Sequence, residues 1–270
     1  MRSENVVMMT THTPQVAPRV QPAECEKHGP FDQKITVLMS REFKSACPEC
    51  QRIASEEREA ARKADESREA RIAISRKLGS ALIPKRFADK TLAGYRAGNP
   101  GQAKALRICK RYVEIFDEIE RDGRCLMLLG QPGTGKTHLG AAMANDLMLN
   151  TTATAVYRTV GSVLQAIRAT FDRHSEQNEA DILASLIEPS LLVLDEVGVS
   201  KEQPSDFELN TLFAIINGRY EQVRPTVVIS NLDAAQLPMA MGERCVDRLR
   251  EGGGVVVPFD WESQRGKEGF

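Results

Sequence analysis

An α/β fold with a parallel sheet is what this sequence predicts, and three observations predict it. From about residue 102, apolar runs of strand length alternate with helical periodicity. A glycine-rich loop, Gly130 to Thr137, stands where one such strand hands over to a helix. Ahead of these the chain changes character twice: residues 23–50 hold three of the six cysteines, and residues 51–78 are helix formers without Gly or Pro. The expected division is a disordered lead-in (1–22), a metal-binding module (23–50), a charged connector helix (51–79) and the α/β domain (80–270).

In chain order, the lead-in is rich in Thr, Pro, Gln and Val and has no usable period. The connector places Glu59 four before Lys63 and Arg62 four before Glu66, where helical side chains meet. Its apolar residues are mainly alanines, so it reads as a solvated helix that Gly79 and Pro84 end. Gln102 to Ile119 then has helical periodicity, Cys125–Leu129 is a short buried strand, and a helix follows the glycine loop over His138–Leu149. Ala153–Val160 and Leu191–Leu194 read as strands, with a helix between them from Ser162 to about Asp172. Phe207–Tyr220 reads as a helix, and Thr226–Ser230 and Val255–Phe259 as the last strands. Such alternation implies crossover connections and a sheet covered on both faces.

Bulk properties exclude several classes. A formal net charge of -1 does not mark a general polyanion binder, so nucleic-acid contact has to come from a local basic face. No apolar run approaches the roughly 20 residues that span a bilayer, and no apolar signal core follows the N-terminus. A cytoplasmic protein without membrane partners is expected, and disulfides are then disfavoured.

Gly130-Gln131-Pro132-Gly133-Thr134-Gly135-Lys136-Thr137 fits G-x-x-x-x-G-K-[ST] in full, in the required strand–loop–helix context, with His138 next in the helix. Glycines let the backbone curl so that its N–H groups face phosphate oxygens, and the helix adds its positive end. Lys136 would reach the β- and γ-phosphates of ATP and Thr137 would offer its hydroxyl to Mg²⁺. In LLVLDE (191–196) four apolar residues bury a strand and two carboxylates emerge at its carboxyl end, where open parallel sheets place their sites. Asp195 would hold the Mg²⁺ and Glu196 would orient or deprotonate the attacking water. Asn231 follows another buried strand; it would contact the water or γ-phosphate, or else cap the next helix. Arg244 and Arg248 lie four apart on one helical face and are suited to γ-phosphate, but on spacing alone an ordinary solvated charged helix is the better account.

Cys25-x-x-His28 and Cys47-x-x-Cys50 form two short knuckles. Two ligands three positions apart bind one metal from a tight turn, and two turns complete the tetrahedron of a structural Zn²⁺. The plainer alternative is free thiols in a disordered arm. Cys109, Cys125 and Cys245 sit in apolar or helical contexts and read as small core residues; His12 and His174 have no partner pattern. The helix with Arg168 and Arg173 is a weak candidate for a single-strand contact.

Taken together, IPKRFADKTLAGY (83–95), the glycine loop, LLVLDEVGV (191–199), VVISN and GERCVDRLREGGGVVVPFDWESQRGKE resemble the DnaC-type helicase loaders of the AAA+ ATPases, over roughly residues 80–268. The resemblance implies a five-stranded parallel AAA+ sheet, Mg-dependent ATP hydrolysis, and subunits that self-associate so that an arginine of one completes the ATP site of the next. Arg248 matches that trans arginine, with Arg244 a helper. It also implies as partners a replicative helicase of the DnaB type and single-stranded DNA, and no α-helical lid after the last strand. The cysteine cluster departs from the bacterial loaders and favours a phage- or prophage-type relative. A related reading is the IstB type, a transposition regulator that assembles on duplex DNA with a transposase. A third is a zinc-dependent adaptor whose nucleotide site only switches conformation; Glu196 argues against it, because a switch needs no water-activating carboxylate.

Overall fold

The computed structural model describes residues 19–38, 41–172, 175, 177–199 and 203–265. The chain forms two compact units that divide between Arg71 and Ile72. Most of the expected lead-in, together with His12, Arg173 and His174, lies outside the described residues.

The first unit carries an antiparallel sheet, β1 (Arg19–Cys25), β2 (Gly29–Leu38) and β3 (Arg41–Lys44), in that order. Along β2, Phe31 and Gln33 are half-buried and Ile35 is buried, while Asp32, Lys34 and Thr36 between them are exposed. That is the period-2 signature of a sheet with one inner face. Helix α1 (Pro48–Ser80) starts within this unit and buries no side chain. Its Glu59–Lys63 and Arg62–Glu66 pairs close at 2.7 and 2.9 Å. Exposed helical pairs of this kind give about 0.3–0.5 kcal/mol each, so they support the helix without docking it.

In the second unit five parallel strands, β4 (Leu126–Gly130), β5 (Ala155–Thr159), β6 (Leu191–Val197), β7 (Thr226–Ser230) and β8 (Val255–Phe259), are ordered β5-β6-β7-β4-β8. Alternate residues feed two cores. Leu126, Leu128, Val193, Val227 and Ile229 meet helices α2 (Pro100–Glu114), α3 (Phe116–Asp122) and α4 (Lys136–Asn150). Met127, Leu129, Leu192, Leu194 and Val228 meet α5 (Val160–Ala169), α6 (Glu179–Ile187), α7 (Asp206–Glu221), α8 (Leu237–Met241) and α9 (Glu243–Arg250). The continuous apolar strands are thus those of a sheet buried on both sides. Gly140 lets α4 lie close: a Cβ there would stand 2.5 Å from Ile229 Cδ1.

The single helix expected over Gln102–Ile119 is two. Ile115 leaves the helical well (φ -107, ψ 29), and α3 restarts with Asp117 and Glu118 at its positive end. Cys109, Cys125 and Cys245 are buried, as expected of small core residues. Arg219 is buried without a carboxylate. Its guanidinium donates to the carbonyls of Leu186, Ile187, Pro189, Ser190 and Pro225 and to Thr226 Oγ1. It thereby closes the C-terminal end of α6, where orphan carbonyls and the helix dipole favour a cation.

Candidate ATP site and metal cluster

β4 delivers Gly130 at the carboxyl edge of the sheet with φ +126, and a Cβ there would meet Phe259 O at 2.4 Å. Gln131 N–H donates to that carbonyl at 2.9 Å, which sets where the loop leaves the sheet. α4 begins at Lys136, so its first N–H groups have no helical acceptor and face the loop. The chain after β8 crosses the loop from outside: Trp261 Nε1 donates to Thr134 O at 3.0 Å, and Gln264 N to Gly133 O at 2.8 Å. Tyr95 reaches Thr134 O at 3.4 Å and stands edge-on to His138, ring centroids 5.2 Å apart. Its segment is held to α4 by Asn145 Nδ2, which donates to Phe87 O and Lys90 O at 3.0 and 2.8 Å.

Lys136 is buried and donates to Gly130 O and Gln131 O, both at 2.6 Å. Burial lowers its pKa to about 8; Asp195 opposes the shift and Arg265 adds to it. Thr137 Oγ1 donates to Asp195 Oδ2 at 2.9 Å, so the hydroxyl and carboxylate expected to share Mg²⁺ are together. Tyr157 OH also hydrogen-bonds that oxygen, and the phenol's pKa is pushed far up by burial and by Asp195. Asp195 Oδ1 accepts from Glu196 N at 2.6 Å.

Between β6 and β7 the register shifts: Leu194 pairs with Val228 but Val197 with Ser230, leaving one extra residue in β6. Glu196 occupies this bulge with φ 60, a left-handed conformation uncommon for a non-glycine residue. The bulge turns the Glu196 side chain into solvent while Asp195 and Val197 on either side stay buried. Asn231 is exposed and follows Ser230, next to β4's end where Leu129 pairs with Ser230. The capping alternative falls to Asp233 instead, whose Oδ1 accepts from Ala235 N and Gln236 N, both at 2.9 Å.

The arginines of α9 are elsewhere. Arg248 lies over the rings of Tyr220 (4.7 Å) and Phe213 (5.3 Å) and lines a cavity of about 340 Å³ with Cys125 and Thr226, where β4 and β7 begin. The loop sits at the opposite ends of those strands, so Arg248 does not meet this chain's own Lys136. Arg244 is exposed one turn earlier. Sequence reasoning missed Tyr157 and Arg265; the second lay in a stretch singled out for its resemblance yet assigned no role. It also missed that Arg168 stacks 5.3 Å over Phe207, whose ring is 6.1 Å from the exposed Phe171.

In the first unit the ligand atoms of Cys25, His28, Cys47 and Cys50 all lie within 4.8 Å of one another. Cys25 Sγ is 3.6 Å from Cys50 Sγ, and His28 Nδ1 is 3.7 Å from Cys25 and Cys47 and 3.2 Å from Cys50. Tetrahedral arms of about 2.3 Å to sulfur and 2.0 Å to nitrogen imply edges of roughly 3.5–3.8 Å, so the set fits one zinc ion. The Lys27 backbone N–H, with His28, holds the Cys25 thiol down at about 6, while its hydrogen bond with Cys25 pushes Cys50 up to about 11. A dication would relieve that crowding of negative sulfur.

A P-loop ATPase of the AAA+ type is the class that this sheet order, this loop and the Thr137–Asp195 pair define. The IstB-like ATP binding protein family matches residues 106–266, and the chain belongs to that family. It is 36% identical over 173 residues to "Replicative helicase loader DnaC" of Escherichia coli (strain K12), covering 64% of this chain and 68% of that one. It is 32% identical over 192 residues to the protein of the same name from Buchnera aphidicola subsp. Schizaphis graminum, covering 71% and 76%. The fold is similar to the crystal structure of the DnaC helicase loader, with a TM-score of 0.58 at 23% identity over 66% of this chain and 100% of that one. No helix among the described residues is long and apolar enough to cross a membrane.

Proposed function

We propose that this chain loads a replicative helicase of the DnaB type onto single-stranded DNA and hydrolyses ATP to ADP and phosphate as it does so. One observation carries the reading: Thr137 and Asp195 meet at 2.9 Å beneath a complete P-loop, in a chain 36% identical to a named helicase loader. In this scheme Lys136 exchanges its loop carbonyls for the β- and γ-phosphates, and Thr137 and Asp195 hold Mg²⁺. Mg²⁺ would neutralise charge on the phosphate oxygens. Glu196, carried outward by its bulge, orients the attacking water, and Asn231 contributes from the neighbouring strand end. Arg248, with Arg244 beside it, serves the site of an adjacent subunit. The Arg168–Phe207–Phe171 cluster supports the DNA part, since an arginine and an exposed ring offer phosphate and base contacts together. A structural zinc staples residues 25–50, and metal analysis of the purified protein should find about one zinc per chain.

Co-purification with a DnaB-type helicase under ATP and under ADP tests the reading, with capture that depends on nucleotide as the expected result. The family's name favours a second reading, a transposition regulator of the IstB type acting on duplex DNA. Capture of a transposase and not of the helicase would overturn the first in favour of the second.

A further inference from the structure

The first unit has a surface that neither the ATP site nor the zinc cluster uses. β1 pairs Val20 with Lys34, and β3 pairs Phe43 with Thr36 and Arg41 with Leu38. Cross-strand partners share a face, and so do alternate residues of one strand. These six side chains therefore project together, away from the face that carries Ile35. The three apolar ones stand well out of the protein: Val20 is 59% exposed, Leu38 60% and Phe43 56%. Charge is segregated along the same face, with Lys34 and Arg41 at this end and Glu24 and Asp32 toward the cysteines. Among the described residues neither Lys34 nor Arg41 is in an ion pair.

We propose that this outer sheet face binds single-stranded nucleic acid, with Phe43 stacking on a base and Lys34 and Arg41 meeting the flanking phosphates. Size and charge together favour this occupant. From Lys34 to Leu38 the face is about two strands wide, with β1 alongside Lys34 and β3 alongside Thr36 and Leu38; at about 4.8 Å per strand and 3.3 Å per residue it covers roughly 160 Å². A stable protein interface needs about 800 Å² from each partner, whereas two or three nucleotides fit within this face. A duplex would satisfy the cations but keeps its bases stacked inside, leaving the projecting ring without a partner; an unpaired strand supplies both. The surface belongs to the first unit and Arg168 and Phe171 to the second, and the proposal rests on the single-strand reading of the function.

The test uses the full-length, zinc-loaded protein and fluorescein-labelled oligo-dT, with anisotropy measured across a salt series. Phe43→Ala should weaken binding about tenfold and leave the salt slope unchanged. Lys34→Gln with Arg41→Gln should weaken binding and lower the slope by about 1.4, from roughly 0.7 per phosphate contact. Both variants should keep their zinc content and their ATPase rate without DNA, which shows that the unit remains folded. If the wild type binds the oligonucleotide and both variants match it within twofold, this proposal fails while the loader reading stands. A wild type that binds no single strand would overturn both. Variants that lose helicase capture but keep DNA binding would make the face a protein dock, and the proposal would again be wrong.

Discussion

Lys136 is held as a buried cation, and that makes nucleotide affinity a function of pH. Burial lowers it from an ordinary 10.5 to about 8, with Arg265 pushing the same way. Triphosphate charge placed beside Nζ restores the ordinary value, so binding draws a proton onto the amine whenever the free site has lost it. The direction follows: affinity is full below pH 8 and falls as pH rises through it. With pKa values of about 8 free and 10.5 bound, Kd should rise about eightfold between pH 7.5 and 9.0, or about 1.2 kcal/mol. Starting at 7.5 keeps the γ-phosphate, with a second pKa near 6, out of the titration. Isothermal titration calorimetry in two buffers of different ionisation enthalpy should find about 0.2 proton taken up at pH 7.5 and about 0.9 at pH 9.0. Arg265→Gln removes one cause of the shift and should flatten the profile. A Kd constant within twofold over this range, with no proton uptake, would refute the electrostatic account of Lys136.

Glu196→Gln should keep nucleotide binding and slow single-turnover phosphate release by about 10²–10⁴-fold; unchanged hydrolysis would remove Glu196 from the chemistry. Arg248→Ala should lower steady-state hydrolysis by about 10³-fold while isolated subunits bind ATP as before, whereas weaker binding by the monomer would contradict a role in trans. Arg219→Met strands five carbonyls and Thr226 in the interior and should cost about 3–5 kcal/mol in urea unfolding; a loss below about 1 kcal/mol would mean water replaces the guanidinium.

The candidate ATP site was legible because its expected chemistry is local. A phosphate-cradling loop needs glycine at fixed spacings, and a buried strand that ends in Asp195 and Glu196 shows its carboxylates at the break in apolar character. The bulge at Glu196 left no mark in LLVLDE, because it arises from pairing with a distant strand. Tyr157 and Arg265 were illegible for the same reason. Only the placement of β5 beside β6 carries Tyr157 to Asp195, and only the path after β8 brings Arg265 near Lys136. The N-terminal sheet was missed because Val20, Ile35 and Val37 are too sparse to declare alternation, so the cysteine spacings alone could be read there. Helix α6 was readable and went unread: Asn178 accepts from Asp181 N at 2.9 Å, and the Asp181 carboxylate answers to Asn178 N, a capping box written in the sequence.

The position of Arg248 constrains how the site can work. It lies where β4 begins and Lys136 lies where β4 ends, so the length of the strand, about 16 Å, separates them. An arginine side chain does not cross that distance through a packed sheet, which removes any role for Arg248 at its own chain's phosphates. Two roles remain. A packing role accounts for the contacts with Phe213 and Tyr220, since a guanidinium stacks well on rings. Losing it costs stability rather than chemistry, so Arg248→Met should then hydrolyse ATP normally. A role in trans requires both the charge and the pose, and the two rings would hold the guanidinium ready at an edge that a second subunit's P-loop can approach. In that case Arg248→Met fails, Arg248→Lys recovers little because the planar fork is lost, and mixing Arg248→Ala with a Lys136→Ala variant restores activity in the heteromer. Restoration on mixing is the outcome that packing cannot produce, because each parent lacks a different half of the same site.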